Sequence, residues 1–113
     1  MPIIYKVCDR SLWEAAEASG SFVGAEIDLK DGFIHFSTAT QVKETVAKHF
    51  AGREGLVLVW VDAEQLGSNL KWEVSRGGVQ FPHLFAELPI AAVERVDDLP
   101  LKDGNHIFPD DLA

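Results

Sequence analysis

Residues 55–61, Gly55-Leu56-Val57-Leu58-Val59-Trp60-Val61, carry no charge, and after the glycine every side chain is apolar. Successive side chains of a strand point to opposite faces. A strand without alternation must therefore be covered on both sides. This predicts a central strand and obliges the rest of the chain to supply two apolar layers. At 113 residues there is room for one domain, residues 1–113. Residues 3–8 read as a first strand, rich in β-branched and aromatic residues. Ser11-Leu12-Trp13-Glu14 fits a capping box, so a short helix should run through Ala18 and stop at Gly20. Thr38-Ala39-Thr40-Gln41 is a second such box. The helix it opens should run to His49 or Phe50, with Val42, Val46 and Phe50 as its apolar stripe.

The remaining spans are less regular. Residues 22–29 read as irregular, with a short strand. Asp31-Gly32 is a turn signal, followed by a strand over residues 33–36. Residues 63–66 fit a single helical turn. Over residues 70–75 the pattern alternates, with Leu70, Trp72 and Val74 on one face and Lys71, Glu73 and Ser75 on the other. Arg76-Gly77-Gly78 is a turn. Residues 81–85 form a loop or an edge strand, because Pro82 has no N–H to donate. Residues 90–96 are a last strand, and residues 103–113 an extended tail that coats the surface. Early helices followed by strands predict an α+β fold, one compact domain with a bent mixed or split sheet and two short helices.

Composition removes several functions. Eighteen acidic residues against ten basic ones leave a net charge of −8, which disfavours binding to a phosphate backbone. No apolar run approaches the ~20 residues of a membrane helix. The first residues lack the basic region and apolar core of a signal peptide, so a cytoplasmic location is the default expectation. Cys8 is the only cysteine. It forms no internal disulfide, and it reads either as a buried thiol in strand one or as a reactive one. No glycine-rich strand-to-helix turn marks a dinucleotide or phosphate loop.

The polar residues that packing does not explain are few. His35 and Ser37 stand two apart in Phe33-Ile34-His35-Phe36-Ser37, and alternation places them on one face. They either hydrogen-bond a ligand or serve as a core histidine and a helix-cap neighbour. Glu73 shares a face with Lys71 and is a site carboxylate or half of an exposed pair. Its neighbour Trp72 is core or a stacking platform. His83 lies in an aromatic, proline-restricted segment and lines a pocket or faces water. A metal site of His35, Glu73 and His83 is chemically allowed, but no spacing supports it. No metal is therefore expected, and no cofactor is required.

The octapeptide Asp31-Gly32-Phe33-Ile34-His35-Phe36-Ser37-Thr38 precedes Gln41 and Thr45. Leu70-Lys71-Trp72-Glu73 and Gly78-Val79-Gln80-Phe81-Pro82-His83-Leu84 follow, and the chain opens with Ile4-Tyr5-Lys6-Val7. In this order the motifs resemble the bacterial family called domain of unknown function 952, over nearly the whole chain. That family is similar in fold to the ADP-ribosyltransferase superfamily, which includes RNA 2′-phosphotransferases. Ile34-His35-Phe36-Ser37 resembles the Val-His-Leu-Ser-like strand of those enzymes. The resemblance implies a site for NAD, as substrate, or for a related nucleotide. Glu73 is then the candidate catalytic carboxylate, Tyr5, His35 and Ser37 hold ribose and amide groups, Trp72 stacks, and Lys6 and His83 complete the ligand-binding set. Lys6 stands where many first strands of that superfamily carry histidine, and the arginines that grip phosphates in the RNA enzymes have no counterpart. The alternative is a non-catalytic small-ligand or protein-interaction module that kept the fold.

Overall fold

A computed structural model of the chain describes residues 2–74 and 78–112. Ser75 and the Arg76-Gly77 part of the expected turn lie outside the described residues. Strand β1 (Ile3–Asp9) pairs antiparallel with β4 (Leu56–Asp62), from Ile3 opposite Asp62 to Asp9 opposite Leu56. Strand β8 (Val93–Leu99) pairs with the other edge of β4, with a register shift at Trp60/Val61. The sheet order β1-β4-β8 makes the apolar run central, and every residue of β4 is buried.

The two faces of β4 belong to two cores. Val57, Val59 and Val61 join Ile4 and Cys8 of β1 in one core, with Trp13, Phe22, Ile34 and Leu84. Leu56, Leu58 and Trp60 join Tyr5 and Val7 in the other, with Val42, Val46 and Leu99. Helix α1 (Arg10–Ser19) buries Trp13 and Ala16 in the first core, and the Gly20 N–H closes it on the Ala16 carbonyl. Asp9 rather than Ser11 stands at its N-terminus, and the Asp9 carboxylate accepts from Arg53 instead of capping. Helix α3 (Val42–His49) covers the second core with the expected stripe. Half of its predicted capping box forms: the Gln41 side-chain oxygen accepts from the Thr38 N–H at 3.0 Å.

Strand β2 (Ser21–Phe22) pairs with β7 (Leu88–Pro89). A further helix, α2 (Glu26–Asp31), follows where the sequence reads as irregular, so the fold has more than two short helices. Its pattern is inverted: Ile27 and Leu29 are exposed and Asp28 is buried. No apolar stripe announces it, which is why periodicity misses it. Gly32 ends α2 at φ +86, with its N–H on the Asp28 carbonyl. The Asp31-Gly32 turn signal is thus a left-handed helix stop.

Strands β3 (Ile34–His35), β6 (Gln80–Leu84) and β5 (Leu70–Val74) form a second antiparallel sheet in the order β3-β6-β5. The expected edge strand around Pro82 is therefore central. The Pro82 carbonyl accepts from the Phe36 N–H at 3.0 Å, just where the chain leaves β3. The N–H that proline lacks would face that same side, beyond the end of the ladder. One step on, Ser37 and Tyr5 exchange both backbone hydrogen bonds, at 2.8 and 2.9 Å, so the segment from Ile34 to Ser37 joins the two sheets. All strand pairings are antiparallel among the described residues; the sheet is split rather than mixed.

A 3-10 helix (Ala63–Asn69) follows β4, and a shorter one (Ile90–Ala92) precedes β8. The tail does more than coat the surface. Strands β9 (Leu101–Lys102) and β10 (Asn105–His106) form a hairpin, and Phe108 and Leu112 then pack on the second core. Among the described residues no helix is long and apolar enough to cross a membrane.

Candidate functional site

The register of the second sheet sorts its residues into rows. Ile34, Leu84 and Leu70 lie opposite one another and face the first core. The next row is His35, His83 and Lys71. Alternation turns that row to the opposite face, together with Glu73. The apolar row anchors the sheet, and the polar row is left as its outer surface.

His83 donates from Nδ1 to Glu73 Oε1 at 2.7 Å. Its side chain is 10% exposed, while that of Glu73 is 43% exposed. The Phe33 ring lies over it, with centroids 4.2 Å apart, and also meets His35 at 4.6 Å and Phe85 at 5.1 Å. The two imidazoles stand edge to face at 5.4 Å. Phe33 holds this place because Gly32 turns the chain sharply after α2.

Behind His35 lies a buried ionic knot. Lys6 Nζ donates to Asp28 Oδ2 at 2.7 Å, to Asp28 Oδ1 at 3.0 Å and to the His35 carbonyl at 2.9 Å. Asp28 Oδ1 also accepts from the His35 N–H at 3.1 Å and from His35 Nδ1 at 2.6 Å, and Oδ2 accepts from the Ala25 N–H at 2.8 Å. Burial by itself would raise the Asp28 carboxyl. The His35 bond and the Lys6 ammonium outweigh it and hold the group at about 2. Burial pulls the Lys6 ammonium below its ordinary value, against the attraction of Asp28. Gly24 leaves room for this knot, since a Cβ there would stand 2.8 Å from Asp28 Cβ. On its other side, His35 Nε2 meets Asp31 Oδ2 at 3.0 Å. Both nitrogens of His35 are thus engaged by carboxylates.

The structure brings His35, His83 and Glu73 together and sets Lys6 directly beneath them. It does not bring the other candidates to this face. Tyr5 points into the second core, where its ring meets Trp60 at 5.0 Å. Ser37 is buried and donates to Thr45 Oγ1 at 3.3 Å. His35 and Ser37 part company because the strand changes sheets between them. Trp72 pairs with Pro82 in the row between Lys71 and Glu73, so its side chain takes the face opposite to Glu73, and it is 44% exposed. Cys8 is buried, which pushes its thiol up to about 12 and leaves it unreactive. No group of three or more metal-ligating side chains forms among the described residues.

Asp28, Asp31 and Phe33 are site residues beyond the candidates of the sequence, although Asp31 and Phe33 lie in the octapeptide Asp31–Thr38. One signal pointed to Asp28: a lysine inside the apolar strand Ile4-Tyr5-Lys6-Val7-Cys8 needs an acidic partner if it is buried. Which acid it takes is invisible in the sequence, because Asp28 lies 22 residues away. An open groove of about 310 Å³ borders the site, lined by Val23, Leu29, Phe33, Phe85 and Glu87.

A family model described as "Protein of unknown function (DUF952)" matches residues 7–96. No curated protein matches the chain. The crystal structure of protein CC0527 from Caulobacter crescentus is 51% identical and superposes with a TM-score of 0.89, covering 93% of each chain. The solution structure of the same protein, 50% identical, gives a TM-score of 0.83 over 94% of this chain and 91% of the other. Both are structural-genomics targets. The match over most of its length and the half-identical relative together place this chain in the DUF952 family.

Proposed function

We propose that the chain binds NAD or a related nucleotide at the His35–His83–Glu73 face, in a fold of ADP-ribosyltransferase type, and that the Glu73–His83 pair is its reactive centre. One observation carries this reading: Glu73 and His35, 38 residues apart in sequence, lie on one face of one sheet, linked through His83 at 2.7 Å and 5.4 Å. A carboxylate beside imidazoles suits a ligand that develops positive charge as the nicotinamide–ribose bond breaks. The aromatic surface of Phe33 and Phe85 and the bordering groove suit a planar ring. Isothermal calorimetry with NAD, ADP-ribose and nicotinamide tests the reading. Binding of at least one at millimolar concentration is expected, and no heat with any of them sinks it.

A second reading, a binding module without turnover, is favoured by Lys6. It stands where the superfamily's first strand often has histidine, and its ammonium is wholly engaged by Asp28 and the His35 carbonyl. Nucleotide binding without release of nicotinamide would establish that reading.

A further inference from the structure

We propose that His83 is the general base of this site, that Glu73 is its positioning residue, and that the nucleophile His83 activates is water. The inference rests on the nucleotide-site reading above and changes its chemistry from transfer to hydrolysis. Three observations carry it.

The first is the pairing of Glu73. Its Oε1 accepts from His83 Nδ1 at 2.7 Å, and a carboxylate in that position fixes the tautomer and the plane of the ring. One oxygen of Glu73 is thereby given to the imidazole. The second is the state of the two histidines. Both nitrogens of His35 stand beside carboxylates, Asp28 at 2.6 Å and Asp31 at 3.0 Å, so a water molecule at either nitrogen would have to displace a side chain already there. His83 Nε2 has no hydrogen-bond partner among the described residues, and a ring that donates from Nδ1 presents Nε2 as an acceptor. The third is access. The His83 side chain is only 10% exposed and lies 4.2 Å beneath Phe33. A nitrogen so covered favours a small nucleophile, water, over the bulkier side chain of an acceptor protein.

The step balances without a further reactant. Water gives a proton to His83 Nε2 as its oxygen bonds to the anomeric carbon of the nicotinamide ribose. The carbon–nitrogen bond breaks, and its electron pair neutralises the pyridinium, which leaves as nicotinamide. His83 then returns the proton to solvent, and ADP-ribose is released free. Phe33 and the edge of His35 form the wall that holds the His83 ring in place.

The experiment measures binding and turnover separately, on the whole chain. Calorimetry with ADP-ribose reports on the nucleotide site alone. Nicotinamide release from NAD and formation of free ADP-ribose report on the base. His83→Gln is expected to lose about 100-fold or more in kcat, a loss well beyond any change it makes in ADP-ribose affinity. Glu73→Gln is expected to lose roughly 10-fold in kcat, less than His83→Gln, since it acts through His83. In His83→Ala, added imidazole should restore part of the rate, which a merely structural role would not allow. Release undiminished in His83→Gln but lost in Glu73→Gln would overturn the assignment and make Glu73 the acting group. ADP-ribose bound by the parent without any nicotinamide release would overturn it too, and leave the binding site standing. ADP-ribose recovered on protein rather than free would overturn water as the nucleophile. No binding at all would remove the nucleotide reading and this inference with it.

Discussion

The molecule contains two three-stranded antiparallel sheets built on opposite principles. In β1-β4-β8 the central strand is buried on both faces and apolar until its final Asp62. In β3-β6-β5 only one face is apolar, and the other carries His35, His83 and Glu73. The first sheet is held by non-directional burial, to which many side chains contribute a little each. The second is fastened to it by the Ile34–Leu84–Leu70 row, by the Tyr5–Ser37 backbone pair and by a buried directional contact of Lys6 with Asp28 and the His35 carbonyl. Non-directional burial tolerates change, while the directional contact fails when one partner is lost. That contrast can be broken by substitution.

Removing one side of the ionic knot should have the largest effect. Asp28→Ala leaves the Lys6 ammonium buried without a counter-charge, a loss of roughly 3–5 kcal/mol by urea unfolding. The double change Lys6→Met with Asp28→Leu should recover most of it, because an apolar pair removes the stranded charge. Equal instability in the single and double variants would mean that the knot does more than neutralise. In the apolar sheet, Leu58→Ala, at a residue with no exposure, should cost about 3 kcal/mol through lost burial and a residual cavity.

The same contrast predicts a pH dependence. Asp28 titrates at about 2 in the fold against an ordinary 3.8. A depressed carboxyl stabilises the fold above its unfolded value and loses that contribution as pH falls through the folded one. Roughly 2 kcal/mol should vanish between about pH 4 and pH 2, measured as unfolding free energy against pH. In the double variant this part of the slope should be absent; its persistence would assign the acid sensitivity to other carboxylates.

Smaller effects test the apolar sheet's closure and the exposed surface. Cys8 should resist alkylation at pH 8 in the native protein and react only at the rate of opening, since burial pushes its thiol up to about 12. Rapid labelling under native conditions would show that β1 frays. The exposed pair Glu44–Lys48 on α3 spans one helical turn at 2.9 Å, and Lys48→Ala should shift stability by no more than about 0.5 kcal/mol.

The elements differ in how far they could be read in advance. The apolar run around Leu58, the stripe Val42–Val46–Phe50 and the stop at Gly20 were legible because each depends on neighbours in the sequence. Helix α2 was not, since it buries Asp28 and exposes Ile27 and Leu29. Its stability comes from Lys6 and from the Ala25 N–H bonded to its own Asp28. Pro82 reads as a loop or edge residue because it has no N–H to donate, and that β3 ends opposite it is set by tertiary structure. At the site, His35, His83 and Glu73 were each named from the chain, and Tyr5, Ser37 and Trp72 were named with equal reason. Alternation could not separate them, because the segment from Ile34 to Ser37 passes from one sheet to the other.

The sequence by itself determined the α+β class, the central strand and the helices α1 and α3 on its two faces, because hydrophobic burial acts through local periodicity. It also carries the stretch, residues 7–96, that matches the DUF952 family. Only the tertiary structure decided which polar residues meet. Hydrogen bonds and ion pairs are short-ranged and directional, so the joining of Lys6 to Asp28 and of Glu73 to His83 depends on strand register. That register is set where a handful of residues cross between two sheets.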